Sequence, residues 1–385
     1  MRAMASPANP LQLAPVSRLA WLAGLYTFQW SEYQLRLPLV SAAAVAVCLF
    51  AGILAGHPGG GLIAGGGAFT VGFGANQRIA DSRLIPMMAA VFATSTAALA
   101  GTVAGHRDYW LLVAAGLSAI IYGILSTRNA GVAWVGQHAF VALIVASAFP
   151  SGTRGALDRA GLIAAGGIVQ VLFTSAGLRL MPDLRKDIFT LASSLFSSVY
   201  EEDWAIAQRL RQIPQFFPTL SRHQAFGYSL RLLLTTLAAT EVYRRLGMQS
   251  GYWIPMTALL VQRPLPADTF TRTAGRIFGT LAGAWLGSLF IAHVAPRPEV
   301  LAAITAIFAL LAFATNAVNY GLYSAALTGY IVFLLSLNEI PGSIIAHRRA
   351  WCTALGGLIA LLAHADALLR LTRSGANQAA RERAV

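Results

Sequence analysis

Residues 84–104 read LIPMMAAVFATSTAALAGTVA, twenty-one positions without a charged side chain. At about 1.5 Å of rise per residue, a helix of that length spans the ~30 Å hydrocarbon core of a bilayer. Arg83 precedes the stretch and Arg107 follows it. Outward from it, apolar runs recur along the chain. Pro38–Ala55 and Gly61–Ala75 precede it, and Trp110–Leu125, Gly131–Phe149 and Ala160–Leu178 follow. After a polar stretch come Tyr228–Tyr243, Tyr252–Val261, Ile277–Val294, Val300–Ala314, Tyr320–Leu337 and Ala350–Leu362. Only 11% of the 385 residues are charged and 56% are hydrophobic, whereas a soluble domain carries about 25% charged residues to hold its surface in water. The expectation is an all-α polytopic membrane protein of about twelve transmembrane helices, arranged as two parallel six-helix repeats joined by a short cytoplasmic helical linker.

The boundaries follow the runs. Residues 1–37 form a cytoplasmic or interfacial segment, in which Trp21, Leu25, Tyr26, Phe28 and Trp30 alternate with Arg18, Glu32 and Arg36. Residues 38–181 form the first repeat. Residues 182–224 form the linker, where Leu191, Leu195, Val199, Ile206 and Leu210 recur at helical spacing. Residues 225–370 form the second repeat, and 371–385 a disordered cytoplasmic tail.

The two sets align by residue. Gln77-Arg78 closes the second run of the first set, and Gln262-Arg263 closes the second run of the other. In that register Ala90, Thr94, Ala98 and Thr102 fall opposite Gly275, Gly279, Gly283 and Gly287. Asn129-Ala130-Gly131 then matches Asn319-Tyr320-Gly321, and Phe140 matches Tyr330. An even number of spans per half relates the halves by an axis along the membrane normal.

The formal charge of +13 does not indicate nucleic acid, because the arginines stand singly or in pairs at the ends of apolar runs. That distribution sets membrane orientation. With both termini inside, 20 of the 28 basic residues are cytoplasmic; the outside loops take Arg107, Arg154, Arg159, Arg244, Arg245, Arg297, Arg348 and Arg349.

Two corresponding runs are defective as spans. Gly61–Ala75 is rich in glycine, and Tyr252–Val261 is short and contains Pro255. Interrupted segments at matching places in two halves point to a transport site, since freed backbone is tolerated at membrane depth only beside protein or a watery cavity. The ladder Gly275, Gly279, Gly283, Gly287 puts four glycines on one helix face and predicts close helix packing. Arg276 on the first turn of the ninth span either snorkels to the interface or lines the path, where its planar fork would grip a carboxylate. Gln137, His138, Asn316 and Asn319 serve equally as bundle-facing groups or as helix–helix hydrogen bonds. His364 and Asp366 point to different faces of one helix. Cys48 and Cys352 stand far apart and give no disulfide or metal site. No phosphate loop, His-Glu-x-x-His or Gly-x-Ser-x-Gly element occurs, so neither an enzyme nor a cofactor is expected.

The stretch Tyr252-Trp253-Ile254-Pro255-Met256-Thr257, then Gln262-Arg263-Pro264, then Arg276-Ile277-Phe278-Gly279-Thr280-Leu281-Ala282-Gly283 resembles the fusaric acid resistance (FUSC) family. That resemblance implies a multi-pass protein of the cell inner membrane, a secondary efflux carrier for organic anions such as aromatic carboxylic acids. It implies as partners the lipid bilayer, the small organic anion and a periplasmic adaptor protein, with a homo-oligomer left open. Trp253, Arg263, Arg276, Gly279, Thr280 and Gly283 are the matched positions. With Gln262, Gln77, Arg78, Asn129 and Asn319 from the repeat, they make up the expected pathway and packing residues. An anion channel on the same scaffold, and a non-transporting membrane scaffold subunit, are the alternatives.

Overall fold

The structure is a computed structural model that describes residues 25, 27–30, 35–80, 82–105, 109–126, 129–180, 222–294, 297–338 and 342–365. Nearly all of the linker expected at 182–224, the tail at 371–385 and most of the N-terminal segment lie outside the described residues. Twelve α-helices are described: α1 (Arg36–Leu54), α2 (Pro58–Gly72), α3 (Leu84–Ala104), α4 (Tyr109–Ser126), α5 (Ala130–Ser147), α6 (Thr153–Leu180), α7 (Arg222–Leu246), α8 (Trp253–Val261), α9 (Pro266–Val294), α10 (Pro298–Thr315), α11 (Tyr320–Ser336) and α12 (Gly342–Leu362). Each contains one of the apolar runs. Among the described residues the only β pairing is an isolated bridge, Ile79 with Ser82.

Local chemistry sets the helix ends. Pro58 and Pro298 open α2 and α10, where a missing N–H costs nothing. Gly105 takes a left-handed φ of 65° and closes α3, with its N–H donating to the Gly101 carbonyl. Asn129 caps α5 by accepting from the Gly131 and Val132 amides, and Asn319 caps α11 by accepting from Gly321 and Leu322. The two caps, at matched positions in the sequence, are built alike.

Seven helices are long and apolar enough to cross a membrane: α1, α3, α4, α5, α6, α9 and α10. The other five fall short for visible reasons. α2 has 15 residues and α8 nine, as the interrupted runs foretold. α11 has 17. α7 and α12 carry arginines along their length.

Two boundaries differ from expectation, with consequences for the site. α9 begins at Pro266 rather than near Ile277, so Arg276 lies ten residues inside it and not on its first turn. α12 begins at Gly342 rather than Ala350, so Arg348 and Arg349 are helical and not part of an outside loop. Arginine is a good helix former, and a hydropathy reading that stops at charge therefore stops too soon.

The packing has a regular plan. α3 packs on α5 and α6; α9 packs on α11 and α12. α2 lies on α1 and α6; α8 lies on α7 and α12. Across the halves, α4 packs on α7 and α10 on α1. Among the described residues, one of the three apolar cores lies within the first half around Met87 and Val91, and the other two are accordingly shared between the halves. One joins Leu111, Phe140 and Ile144 to Tyr228, Trp253 and Cys352. The other joins Val45, Leu49, Phe69 and Phe73 to Leu301, Phe313 and Phe333. At the join, Phe69 stacks on Tyr330 with ring centroids 4.0 Å apart.

The outward faces are apolar as well. Phe278 and Trp285 on α9 are each 67% exposed, and Trp110 on α4 is 73% exposed, with Ile121 on the same helix also outward. Such a surface is stable against lipid and costly against water. The chain is thus a multi-pass α-helical membrane protein.

Candidate functional site

Where the halves meet, the starts of α5, α9 and α11 surround a cavity of about 650 Å³. Arg263, Arg272 and Arg276 line it from the loop before α9 and from α9 itself. Arg272 and Arg276 are four residues apart and share a helix face. Aromatic side chains supply much of the remaining wall: Tyr122, Trp134, Tyr228, Tyr320 and Tyr323 among them. Gln77, Gln137, His138, Asn316 and Asn319 add uncharged polar groups. Among the described residues no carboxylate lines it.

The arginines are held without acidic partners. The Arg272 guanidinium lies over the Tyr320 ring, 4.7 Å from its centroid. The Arg263 amide donates to Thr269 Oγ1 at 2.9 Å, which ties the loop to α9. Arg276 is 1% exposed, and its Nε finds no acceptor. Among the described residues no carboxylate is buried; Glu241, on the far end of α7, pairs with Arg244 and Arg245. A guanidinium stays charged at any physiological pH. Three of them around one cavity therefore make a positive well.

The N-terminal segment reaches this cavity. The Gln29 amide donates to the Val318 carbonyl at 3.0 Å. Asn319 Nδ2 donates to the carbonyls of Leu25 and Thr27, each at 3.1 Å. Thr27 and Gln29 consequently form part of the wall. Asn319 thus does more than its counterpart Asn129, capping α11 and holding the incoming chain.

The expected pathway residues divide. Arg263, Arg276, Gln77 and Asn319 line the cavity. Arg78 is exposed and contributes its carbonyl to the contact with Gly131, while Asn129 caps α5 outside the wall. Gln262 is fully buried beside the site, with both amide atoms unpartnered and its carbonyl accepting from Tyr228 Oη at 3.4 Å. Thr280 is fully buried one turn beyond Arg276, its hydroxyl unpartnered. Trp253 lies deeper, its indole under the Arg349 guanidinium at 5.1 Å.

The glycine ladder lies on α11. A side chain at Gly279 would strike the Gly321 carbonyl, and one at Gly283 the Ala325 carbonyl. At Gly275 and Gly287 the nearest atoms stand off at 3.4 and 3.2 Å. The ladder's middle rungs are therefore the points of backbone contact.

Arg272, the aromatic wall and Arg349 escaped the sequence reading as site residues. Arg272 was legible as the residue one turn before Arg276, once both fell within one helix. The aromatics come from four separate helices, and nothing local brings them together.

The described residues thus form a helical bundle with apolar outer faces and a cationic cavity where the halves meet. The sequence profile of the fusaric acid resistance protein-like family matches residues 236–363, from within α7 to the end of α12, so this part of the chain is similar to that family. The chain is 31% identical to the uncharacterized protein ORF2 of Neisseria gonorrhoeae over 136 residues, 33% of this chain and 32% of that protein. It is 23% identical to an uncharacterized protein of Synechocystis sp. over 172 residues, 43% of this chain and 23% of the other. The alignments thus span a third or less of these relatives. No solved structure matches significantly.

Proposed function

We propose that the protein is a secondary carrier that exports organic anions, aromatic carboxylates in particular, through the arginine-lined cavity. The observation that carries this reading is the wall itself: Arg263, Arg272 and Arg276 with five or more aromatic rings and, among the described residues, no carboxylate. Guanidinium groups bind a carboxylate through two parallel hydrogen bonds. The rings beside them match the flat apolar body of an aromatic acid. The cavity volume lies within the range of small-molecule sites.

The matched packing of α1–α6 and α7–α12 supports two six-helix repeats around this site, all twelve helices crossing the membrane, with α2 and α8 as the interrupted spans. Both termini on the cytoplasmic side of the inner membrane follow from the arginine bias. Placing Arg349 inside the bundle removes it from the outside charge and strengthens that bias.

Flux of labelled benzoate into proteoliposomes, with and without a pH gradient, tests the reading. Uphill accumulation driven by the gradient is expected. Downhill, voltage-driven current alone would make the protein an anion channel, and no flux of any aromatic acid would leave a membrane scaffold.

A further inference from the structure

Beyond the cavity, the second half holds a column of buried polar groups, several of which lack partners. On α9, Thr269, Thr273, Arg276 and Thr280 recur at spacings of four, three and four, all 1% exposed or less. That is one helix face. Thr257 on α8, Thr280 on α9 and Ser324 on α11 each have a hydroxyl with no hydrogen-bond partner. Other buried hydroxyls turn back onto the preceding helical turn, as Thr94 does to the Ala90 carbonyl at 2.7 Å and Thr305 to Leu301 at 2.7 Å, although Thr235, Thr236 and Thr240 on α7 also lack partners.

The column ends at Arg349. This side chain is 1% exposed. Its Nε donates to Thr328 Oγ1 at 3.2 Å, and its guanidinium rests on the Trp253 indole. Both terminal nitrogens, Nη1 and Nη2, are buried and unpartnered. Tyr323, which lines the cavity, lies within electrostatic range of both Arg276 and Arg349. Thr328 packs directly on Gly283, seven residues past Arg276 and therefore about 10 Å further along the α9 axis.

The first half contains a control. The register that sets Asn129 against Asn319 sets Arg159 against Arg349 and Gly166 against Gly356. Arg159 Nη1 donates to Thr102 Oγ1 at 2.8 Å and to the Phe149 carbonyl at 2.7 Å. A helical arginine at this place can be satisfied by its own bundle. Arg349 is not, although leaving a buried charge without acceptors costs several kcal/mol.

We propose that Arg349, on its Trp253 platform, is a second anion-binding site, which receives the carboxylate from Arg276 during passage through the bundle. This rests on the reading that the cavity binds an anion. The two terminal nitrogens offer the parallel donors that a carboxylate takes. The indole beneath holds the guanidinium plane in place without neutralising it. Burial excludes a lipid headgroup as the occupant. Two cationic stations in series hold an anion at each, so an arriving anion repels the one ahead of it toward release, a multi-site arrangement.

Equilibrium binding of radiolabelled benzoate to the full chain in nanodiscs, counted per folded molecule, tests this. Wild type is expected to hold two equivalents and Arg349→Gln one, with flux into proteoliposomes down about tenfold or more. If Arg349→Gln does not fold, Arg349→Lys serves: it keeps the charge but loses the fork, so the second equivalent should weaken about tenfold. An unchanged second equivalent in that variant overturns the proposal. A single wild-type equivalent, abolished by Arg276→Gln and untouched by Arg349→Gln, overturns it too while the cavity reading stands. A single equivalent abolished by Arg349→Gln and untouched by Arg276→Gln removes the cavity reading, and with it the transfer from Arg276 to Arg349, leaving Arg349 as a lone site. No binding to any of the proteins ends both readings.

Discussion

Gly283 lies with its backbone directly against the Ala325 carbonyl, so that α9 and α11 meet there without side chains between them. Gly279 makes the same approach to Gly321 one turn earlier. Leucine at either position must push the helices apart. Overpacking a tight core typically costs about 1–3 kcal/mol; with a carbonyl as the obstacle, Gly283→Leu should reach the upper end or prevent folded expression. Gly275→Ala meets only ordinary contact at 3.4 Å and should shift stability by less than about 1 kcal/mol. Thermal unfolding of the monodisperse fraction compares the variants. A normally folded Gly283→Leu with changed substrate preference would move the ladder from packing to the pathway.

Arg276 is held inside α9 and opens onto the cavity, which makes it the test of the pathway. Arg276→Gln should cut benzoate flux by about tenfold or more, since a charge-assisted fork to a carboxylate is lost. Arg276→Lys should recover part of it, because the charge remains and the planar geometry does not. Flux per inserted molecule is the measurement. Equal flux in Arg276→Gln and wild type would remove Arg276 from the path and direct attention to Arg263 and Arg272.

Asn319 works with both ends of its amide, which separates two effects by one substitution. Asn319→Asp keeps the oxygen that caps α11 and loses the two donors to Leu25 and Thr27. The helix should survive, while the Gln29 amide, bonded to Val318, should exchange with solvent about tenfold faster as its local anchor opens. Asn129→Asp has no such segment to release and should leave that amide alone. Asn319→Ala should lose the cap as well, at about 1 kcal/mol. Hydrogen exchange at residues 27–30 reads the difference.

Thr280 carries a buried hydroxyl that bonds to nothing. Thr280→Val keeps the shape and removes the uncompensated polar atom, so it should stabilise the fold by about 1 kcal/mol. If the hydroxyl belongs to the route between Arg276 and Arg349, flux should fall even as stability rises. A loss of stability would show that Thr280 has a structural partner.

Much of the architecture was legible because it is local. Twelve apolar runs became twelve helices, and the paired Asn-x-Gly sequences at Asn129 and Asn319 became paired caps. The glycine spacing in 275–287 put four small residues on one face, and the structure lays that face on α11. What failed locally failed at charge. Arg272, Arg276 and Arg349 next to apolar runs look the same in sequence whether they snorkel to an interface or lie inside a bundle.

The sequence by itself determined that the chain is helical, apolar outside, and punctuated by caps and prolines. These properties depend on residues within a few positions of one another, through hydrogen bonds that close over three or four residues and periods of 3.6. Only the tertiary structure decided that α4 docks on α7 and α10 on α1, and that Tyr122, Trp134, Tyr228 and Tyr320 converge on three arginines. It alone left the terminal nitrogens of Arg349 bare while giving Nη1 of Arg159 two acceptors. Such outcomes turn on which faces of distant helices meet, and close packing settles that for the whole bundle at once.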